Sequence, residues 1–359
     1  MAQVIAAPGP KKYTRTTLKG MTLPELQDWA ASIGEPPYRG AQLFDWLYRK
    51  GETDPRAMDN LPKTLREQLA ETCDLSTAHI AHMTSSGQEP TRKYLVQLRD
   101  GKQVEVVSML EHGRHTVCLS SQVGCNVDCH FCATAAMGLV RNLTAGEIVD
   151  QYLLVQEDRP EPITNVVFMG MGEPLLNYDR VMAAADILHS PQGMNLGGQR
   201  ITISTAGVVP KIVRFTAENR PYRFAISLNA TTDEVRSAIM PINRTWPLAE
   251  LLAAARAYVA RPQRTVTFEY VLLAGINDAP QDGRQLAELL RGLRCKVNLI
   301  PYNEPDPLPG QTSPYRRPTR LAIEAFIAAL SGADFPVLTR WSNGTDIAAG
   351  CGQLAVSQV

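Results

Sequence analysis

The segment Ser120-Ser121-Gln122-Val123-Gly124-Cys125-Asn126-Val127-Asp128-Cys129-His130-Phe131-Cys132 places three cysteines within eight residues. A structural zinc site wants four closed ligands, and no CxxC pair elsewhere in the chain supplies the rest. A 4Fe-4S cluster held by three thiolates leaves one iron open, which lets a cluster bind a small molecule as well as pass electrons. The competing reading is a surface zinc knob completed by Cys118 or His130.

Outward from this segment the chain alternates. Apolar, β-rich runs fall at 115–121 (HTVCLSS), 164–169, 200–205, 223–228, 265–273 and 295–300, each followed by a helical stretch, with a last run at 335–340. Six strand-helix units of this kind predict a parallel sheet wrapped by helices, an α/β fold. Upstream, Leu23, Leu26, Trp29 and Ile33 recur at helical spacing, and Leu43, Trp46 and Leu47 resume it after a GEPPYRG loop, without a strand signal. Residues 92–110 switch to an alternating period around Asp100-Gly101 and predict a hairpin. The expected organisation is a basic tail (1–20), a small helical accessory domain (21–90), a linking β-hairpin (91–114), a catalytic core (115–345) and a C-terminal segment (346–359). A proline-rich loop at 301–314 follows the sixth run, a position where function often resides.

Composition limits the partners. The 359 residues carry 36 basic and 36 acidic side chains, so no global field attracts a polyanion or a membrane surface, and any such partner is held by local patches. No run approaches 18 apolar residues, which predicts no spanning helix. The N-terminus has its apolar residues before its basic ones, the reverse of a secretory signal. A cytoplasmic location with reduced thiols is therefore expected, and the seven cysteines are read as metal or redox chemistry rather than as disulfides.

Polar groups recur at the carboxyl ends of the strand runs: Gly170, Gly172 and Glu173 in FMGMGEP, Ser204, the trio Ser227-Leu228-Asn229, and Asn303 in IPYN. Glycine lets backbone approach a ligand, and a carboxylate accepts from an ammonium group. In a wound parallel fold these ends form the ligand-bearing face. Each feature alone is as readily a tight turn.

CNVDCHFC resembles the CxxxCxxC signature of the radical S-adenosylmethionine (SAM) enzymes. SSQVGCNVDCHFC, FMGMGEP, STAGVVP, MPINR, NLIPYN and CGQL, in this order, are together similar to the ribosomal RNA adenine C2-methyltransferases, which also modify transfer RNA, and to their C8-methylating antibiotic-resistance relative. GEPPYRGAQLFDWLY resembles the C2 enzymes' accessory helical domain, so the likeness spans nearly the whole chain. It implies a (β/α)6 partial TIM barrel, a 4Fe-4S cluster on Cys125, Cys129 and Cys132, and SAM held by Gly172, Glu173, Ser204, Ser227, Leu228, Asn229 and Asn303. It implies catalysis by Cys351, which takes a methyl group from one SAM molecule and loses a hydrogen atom from it to a radical generated from a second. The resulting carbon radical adds to the adenine ring, and Cys118 then acts as base and resolving thiol on the covalent adduct. Glu105 aligns with the proposed proton acceptor. The implied partners are 23S rRNA at the peptidyl-transferase centre, adenosine 37 of tRNAs and an electron donor such as flavodoxin, for a monomer without membrane contact. The alternatives are C8 methylation and, from another class, a non-catalytic Fe-S or zinc RNA-binding module. Judged by residue type alone, Cys118 is as readily a buried small hydrophobe, Cys351 a turn thiol and Glu105 an outward carboxylate.

The chain departs from the family pattern in three places. Asn229 stands where the family commonly has histidine, so this position hydrogen-bonds but does not titrate. Asn343 replaces a basic residue before Gly344, removing a phosphate contact. Gly350 replaces alanine beside Cys351 and is expected to loosen that loop. For RNA, residues 255–320 hold ten basic and six acidic side chains, most expected on solvated helix faces. Lys11, Lys12, Arg15 and Lys19 add to the tail, and Tyr302 and Tyr315 are candidates for stacking on bases. Cys73 and Cys295 are expected to be structural.

Overall fold

A computed structural model describes residues 15–304 and 313–356; Lys11, Lys12 and most of the proline-rich loop lie outside the described residues. The N-terminal unit is built from helices α1 (Leu23–Ser32), α2 (Tyr38–Phe44, continued by a π-helical turn over Asp45–Arg49) and α3 (Lys63–Thr72). Thr22 and Glu25 form a capping box and Pro24 starts the first turn, so α1 begins where its sequence says it should. Short strands β1 (Thr16–Thr17) and β2 (Cys73–Asp74) pair in parallel and close the unit on itself.

Ten further strands make one sheet. In space its order runs β14 (Val337–Thr339), β13 (Cys295–Pro301), β12 (Val266–Leu272), β11 (Arg223–Ser227), β10 (Ile201–Thr205), β9 (Asn165–Phe168) and β6 (Arg114–Cys118), all parallel, and then β5 (Gln103–Glu111), β4 (Thr91–Leu98) and β3 (Ala78–Ser85), antiparallel. The parallel strands are wrapped by α5 (Ala145–Asp158), α6 (Tyr178–His189), α7 (Val209–Ala217), α8 (Asp233–Ile239), α9 (Leu248–Val259), α10 (Pro280–Leu289) and α11 (Arg320–Ala329). This is the expected six-unit partial barrel, with β14 as a seventh parallel strand. Between β6 and α5 the cysteine loop is framed by the β7 (Gln122–Gly124) and β8 (Leu139–Asn142) hairpin and the short helix α4 (Ala133–Ala136).

Two expectations need correction. The unit taken as helical over 21–90 ends its helices at Thr72, and residues 78–85 form a strand. The hairpin is therefore a three-stranded antiparallel extension, continuous with the barrel sheet through β5 and β6. AHIAHMTS hides this because β3 is an edge strand with mostly exposed or half-exposed residues, so its polarity resembles a loop. The basic tail also does other work than contacting a polyanion. Arg15 pairs with Asp74, and the buried Lys19 ammonium lies 3.3 Å from Asp150 of α5.

Lys19 carries the docking of the N-terminal unit onto the barrel. Its neighbour Gly20 and Gly146 of α5 approach so closely that a Cβ on either would strike the other segment's backbone. Removing one partner of a buried ion pair leaves an uncompensated charge, so Lys19→Met is expected to lower the unfolding free energy by roughly 3 kcal/mol, read by chemical denaturation.

Candidate active site

Cys125, Cys129 and Cys132 are half-exposed in the loop after β7 and line one cavity at the carboxyl ends of the parallel strands. Glu173, Ser204, Ser227 and Asn229 line the same cavity, as does Cys351 from the far end of the chain. Strand order brings Glu173, Ser204, Ser227 and Asn229 together, since each strand delivers its last residues to one rim, whereas Cys351 arrives on a loop.

The loop is prepared for anions. Burial pushes the Cys125 thiol up to about 12, opposed by the backbone N–H groups of Val127 and Asn126 that bond its sulfur. Burial raises Cys129 further, and the nearby Arg236 guanidinium opposes that rise. Arg236 is fully buried and donates to the carbonyls of Leu228 (2.9 Å), Ala206 (2.7 Å) and Ser227 (3.0 Å) and to the Asn243 side chain (3.0 Å). Burial pulls it down to about 10. A buried cation with no carboxylate in direct contact, beside three thiols, fits a cluster carrying thiolate charge. The zinc alternative finds no fourth ligand here, for His130 is exposed beside Asp128 and Cys118 does not line the cavity that the triplet lines.

Glu173 sits fully inside the protein, where burial pushes its carboxyl up to about 7 against hydrogen bonds from the Ala206 (2.7 Å) and Leu175 (3.0 Å) N–H groups. An ammonium group in the cavity would hold it ionised. Gly172 has φ +97°, and a Cβ there would meet the Gln122 side chain at 2.6 Å, so glycine is required for both reasons. Asn229 adopts a left-handed backbone, φ +59°, which asparagine tolerates well. Its Oδ1 accepts from Val271 N–H at 2.8 Å, and its departure from histidine suits the local conformation. Leu228 points into the core, leaving only backbone near the rim. Asn303 lies beside the cavity, donating to Ser342 Oγ (2.7 Å) and to the Cys351 carbonyl (3.3 Å).

Cys351 projects on a loop that the antiparallel extension holds. Asp346 accepts from Ser86 and Gly87 at the β3–β4 turn, Glu89 accepts from Gly344 N–H (2.6 Å), and Lys93 donates to the Ala348 carbonyl (3.3 Å). Glu105 accepts from Ala355 N–H (2.9 Å) and pairs with Lys93 (3.0 Å). Burial raises the Glu105 carboxyl, and Lys93 opposes that rise. Gly350 does not loosen this loop, since a Cβ there would meet Gln353 Oε1 at 2.7 Å and Asn303 Nδ2 at 2.8 Å. Close packing, and not flexibility, is what the missing methyl group allows. Cys118, at the end of β6, is buried, and its thiol is pushed up to about 12 by burial, with Cys351 near enough to add to the rise. Cys351 is exposed as a residue, but desolvation by the groups packed around it raises its thiol, and Arg340 opposes that rise.

Other expectations fare differently. Tyr302 is buried against Tyr315 in a small core with Val127 and Phe131, so it has no free face for a base. Among the basic residues of 255–320, Arg284, Arg291 and Arg320 bond Gln281, Glu288 and Glu324 on their own helices, as solvated faces do. Cys73 and Cys295 are buried in strands away from the cavity. Sequence reasoning missed Arg236, Lys93 and Arg340. Only Arg236 left a trace, for the MPINR motif supplies its acceptor Asn243.

A six-unit partial barrel with a three-cysteine loop after its first strand, facing a cavity at the strand ends, defines the radical SAM enzymes. The profile of the radical SAM superfamily matches residues 119–289, and that of the ribosomal RNA large subunit methyltransferase N-terminal domain matches residues 16–75. The chain is 47% identical over 342 residues to the probable dual-specificity RNA methyltransferase RlmN of Symbiobacterium thermophilum, covering 95% of this chain and 91% of that one. It is 46% identical over 346 residues to the dual-specificity RNA methyltransferase RlmN of Anaeromyxobacter dehalogenans, covering 94% and 91%. The crystal structure of a radical SAM methyltransferase from Sphaerobacter thermophilus superposes with a TM-score of 0.88 at 45% identity, covering 94% of this chain and 99% of that one. The chain belongs to the RlmN family of radical SAM methyltransferases. It is an enzyme, so the non-catalytic alternative falls, and membership implies SAM and an iron–sulfur cluster. No helix among the described residues is long and apolar enough to cross a membrane.

Two measurements probe this geometry. Arg236→Met strands three carbonyls and the Asn243 amide without their donor and is expected to cost about 3 kcal/mol or more in chemical denaturation. Glu105→Gln removes the ion pair with Lys93 that grips the C-terminal loop, and iodoacetamide is expected to label Cys351 several-fold faster, read by mass spectrometry of the labelled peptide.

Proposed function

We propose that the protein methylates C2 of an adenosine in 23S rRNA at the peptidyl-transferase centre and of adenosine 37 in tRNAs, with Cys351 carrying the methyl group. The observation that supports this reading is the approach of two thiols, Cys351 and Cys118, with Cys351 lining the same cavity as the three-cysteine loop and its neighbour Gly352 bonded to Ala133 at that loop's end (2.8 Å). An sp2 ring carbon is a poor nucleophile with a C–H bond that no ordinary side-chain base removes, so direct transfer from a sulfonium methyl fails and a protein-borne methyl group is needed. Cys125, Cys129 and Cys132 would hold the 4Fe-4S cluster, which together with SAM supplies one-electron chemistry able to activate a C–H bond.

The chain's own residues do the remainder. Glu173 is placed for the ammonium group of SAM, and Ser204, Ser227 and Asn229 for its other polar atoms, with Gly172 giving backbone access. Arg340 favours the Cys351 thiolate that methyl uptake requires. Cys118, kept neutral by burial, stores a proton beside Cys351 in the resting enzyme. Glu105 and Lys93 anchor the loop that presents Cys351, a positioning role that sits beside the proton-acceptor role the resemblance implies. The helical unit serves as an accessory RNA-binding domain to the core over 115–345. The enzyme works as a cytoplasmic monomer, reduced by a donor such as flavodoxin. The dual-specificity RNA methyltransferase name of the relatives favours C2 over C8.

Mass spectrometry of rRNA and tRNA from cells with and without the protein is expected to show 2-methyladenosine only in its presence; 8-methyladenosine, or no change, overturns the assignment. Cys118→Ala is expected to accumulate a covalent protein–RNA species that Cys351→Ala does not form, seen as a shifted band on a denaturing gel.

A further inference from the structure

The inward-facing side chains of a parallel barrel ordinarily make a dry, branched-apolar core. Here they grow more polar and then cationic with distance from the cavity. Counted by twos from the cavity end, the inward face of β6 carries Cys118, Thr116 and Arg114, and that of β13 carries Ile300, Asn298 and Lys296. The same count on β11 leads from Ser227 to Arg223. Arg223, Arg340 and Arg114 all act on the Lys296 ammonium and, with burial, hold it below its ordinary value, so four cations share one space. None of the four enters an ion pair among the described residues; many other arginines of the chain lack one too, so it is their gathering around one ammonium that sets these apart. Such a cluster costs self-repulsion unless an anion covers it.

Glu269 lies between this mouth and Cys351, acting on both Lys296 and the Cys351 thiol. Its side chain lines the cavity at 5% exposure, Oε1 accepts from Asn298 Nδ2 at 2.9 Å, and Oε2 is buried with no partner. A buried carboxylate oxygen without a donor is costly and marks a place where a donor arrives. The charge that acts on the Cys125 and Cys129 thiols is that of Glu173, not Glu269, so Glu269 serves the Cys351 side of the cavity. Trp341, next to Arg340, is 58% exposed, an unusual position for the largest aromatic side chain unless it stacks on something.

Building on the methyltransferase reading, we propose that the amino-terminal mouth of the barrel is where the RNA enters: Arg114, Arg223 and Lys296, at the starts of three strands, hold backbone phosphates, and Glu269 accepts a hydrogen bond from the exocyclic amine of the extruded adenine. Phosphates match an unpaired cationic rim, and an extruded base passes between them toward the thiols. In either ionisation state the carboxyl retains an oxygen that accepts from the amine. The base is thereby read on its amino edge while its ring carbon faces Cys351.

The test is fluorescence anisotropy with a labelled RNA stem-loop carrying an unpaired loop adenosine, using the cluster-loaded full chain with SAM. Arg223→Gln/Lys296→Gln is expected to weaken binding at least ten-fold and to flatten the salt dependence by roughly 1.4 in log–log slope, with cluster absorbance and SAM binding retained. If that pair compromises folding, the exposed pair Arg114→Gln/Arg223→Gln carries the same expectation. Replacing the loop adenosine by purine riboside, which lacks the amine, is expected to weaken binding to the wild type by roughly ten-fold and to leave binding to Glu269→Leu unchanged. Unaltered affinity and salt slope in the charge variants, or equal discrimination by Glu269→Leu and wild type, overturns this inference and leaves the methyltransferase reading standing. A wild-type enzyme that binds no RNA overturns both.

Discussion

A single buried cation organises the rim on which the chemistry is assembled. Arg236 has no contact with water, and its guanidinium ties together the ends of β10 and β11 through the carbonyls of Ala206, Ser227 and Leu228. Asn243, from MPINR, holds it from the other side and is itself fastened to Asp233 at 2.8 Å. Burying a guanidinium is tolerable only where every donor is satisfied and an opposite charge lies near. The carbonyls meet the first condition and the thiol loop beside Cys129 meets the second, so the fold of the rim and the charge of its ligand are one requirement.

The antiparallel strands solve a different problem. Cys351, the thiol proposed to carry the methyl group, stands beside the barrel on a loop and not on one of its strands. Strands β3, β4 and β5 and the β3–β4 turn provide an outer frame to which residues 344–355 are tied by hydrogen bonds with Ser86, Gly87, Glu89, Lys93 and Glu105. These bonds are individually modest, about 1 kcal/mol each for neutral donors and more for charged ones. Together they determine where Cys351 stands, while leaving it on a loop. The continuity of β5 with β6 transmits this frame directly to Cys118.

The zero net charge of the chain acquires a local meaning from the same architecture. Arginines without an ion-pair partner occur over the whole surface, Arg56, Arg200 and Arg294 among them, and what sets Arg114, Arg223 and Lys296 apart is that they gather at one end of the barrel. An enzyme that holds its substrate through an extruded base and a covalent bond needs no broad basic face.

The cysteine spacing, the six apolar runs and the strand-end glycines and carboxylate were legible in the sequence, because spacing within one loop and the alternation of strand and helix are local properties of the chain. What the sequence left unread depends on pairing across long separations. The edge strand β3 is polar in isolation and becomes a strand only against β4. Lys19 and Tyr302 read as a solvated charge and a free aromatic until Asp150 and Tyr315 are found beside them. Glycine at 350 reads as slack until Asn303 is seen in the space its methyl group would take. The sequence by itself determined the class of chemistry, since metal-ligand spacing is a property of a few adjacent residues. Only the tertiary structure decided which cations are spent on the protein and which remain for a ligand, because burial and electrostatic partnership are properties of neighbours in space.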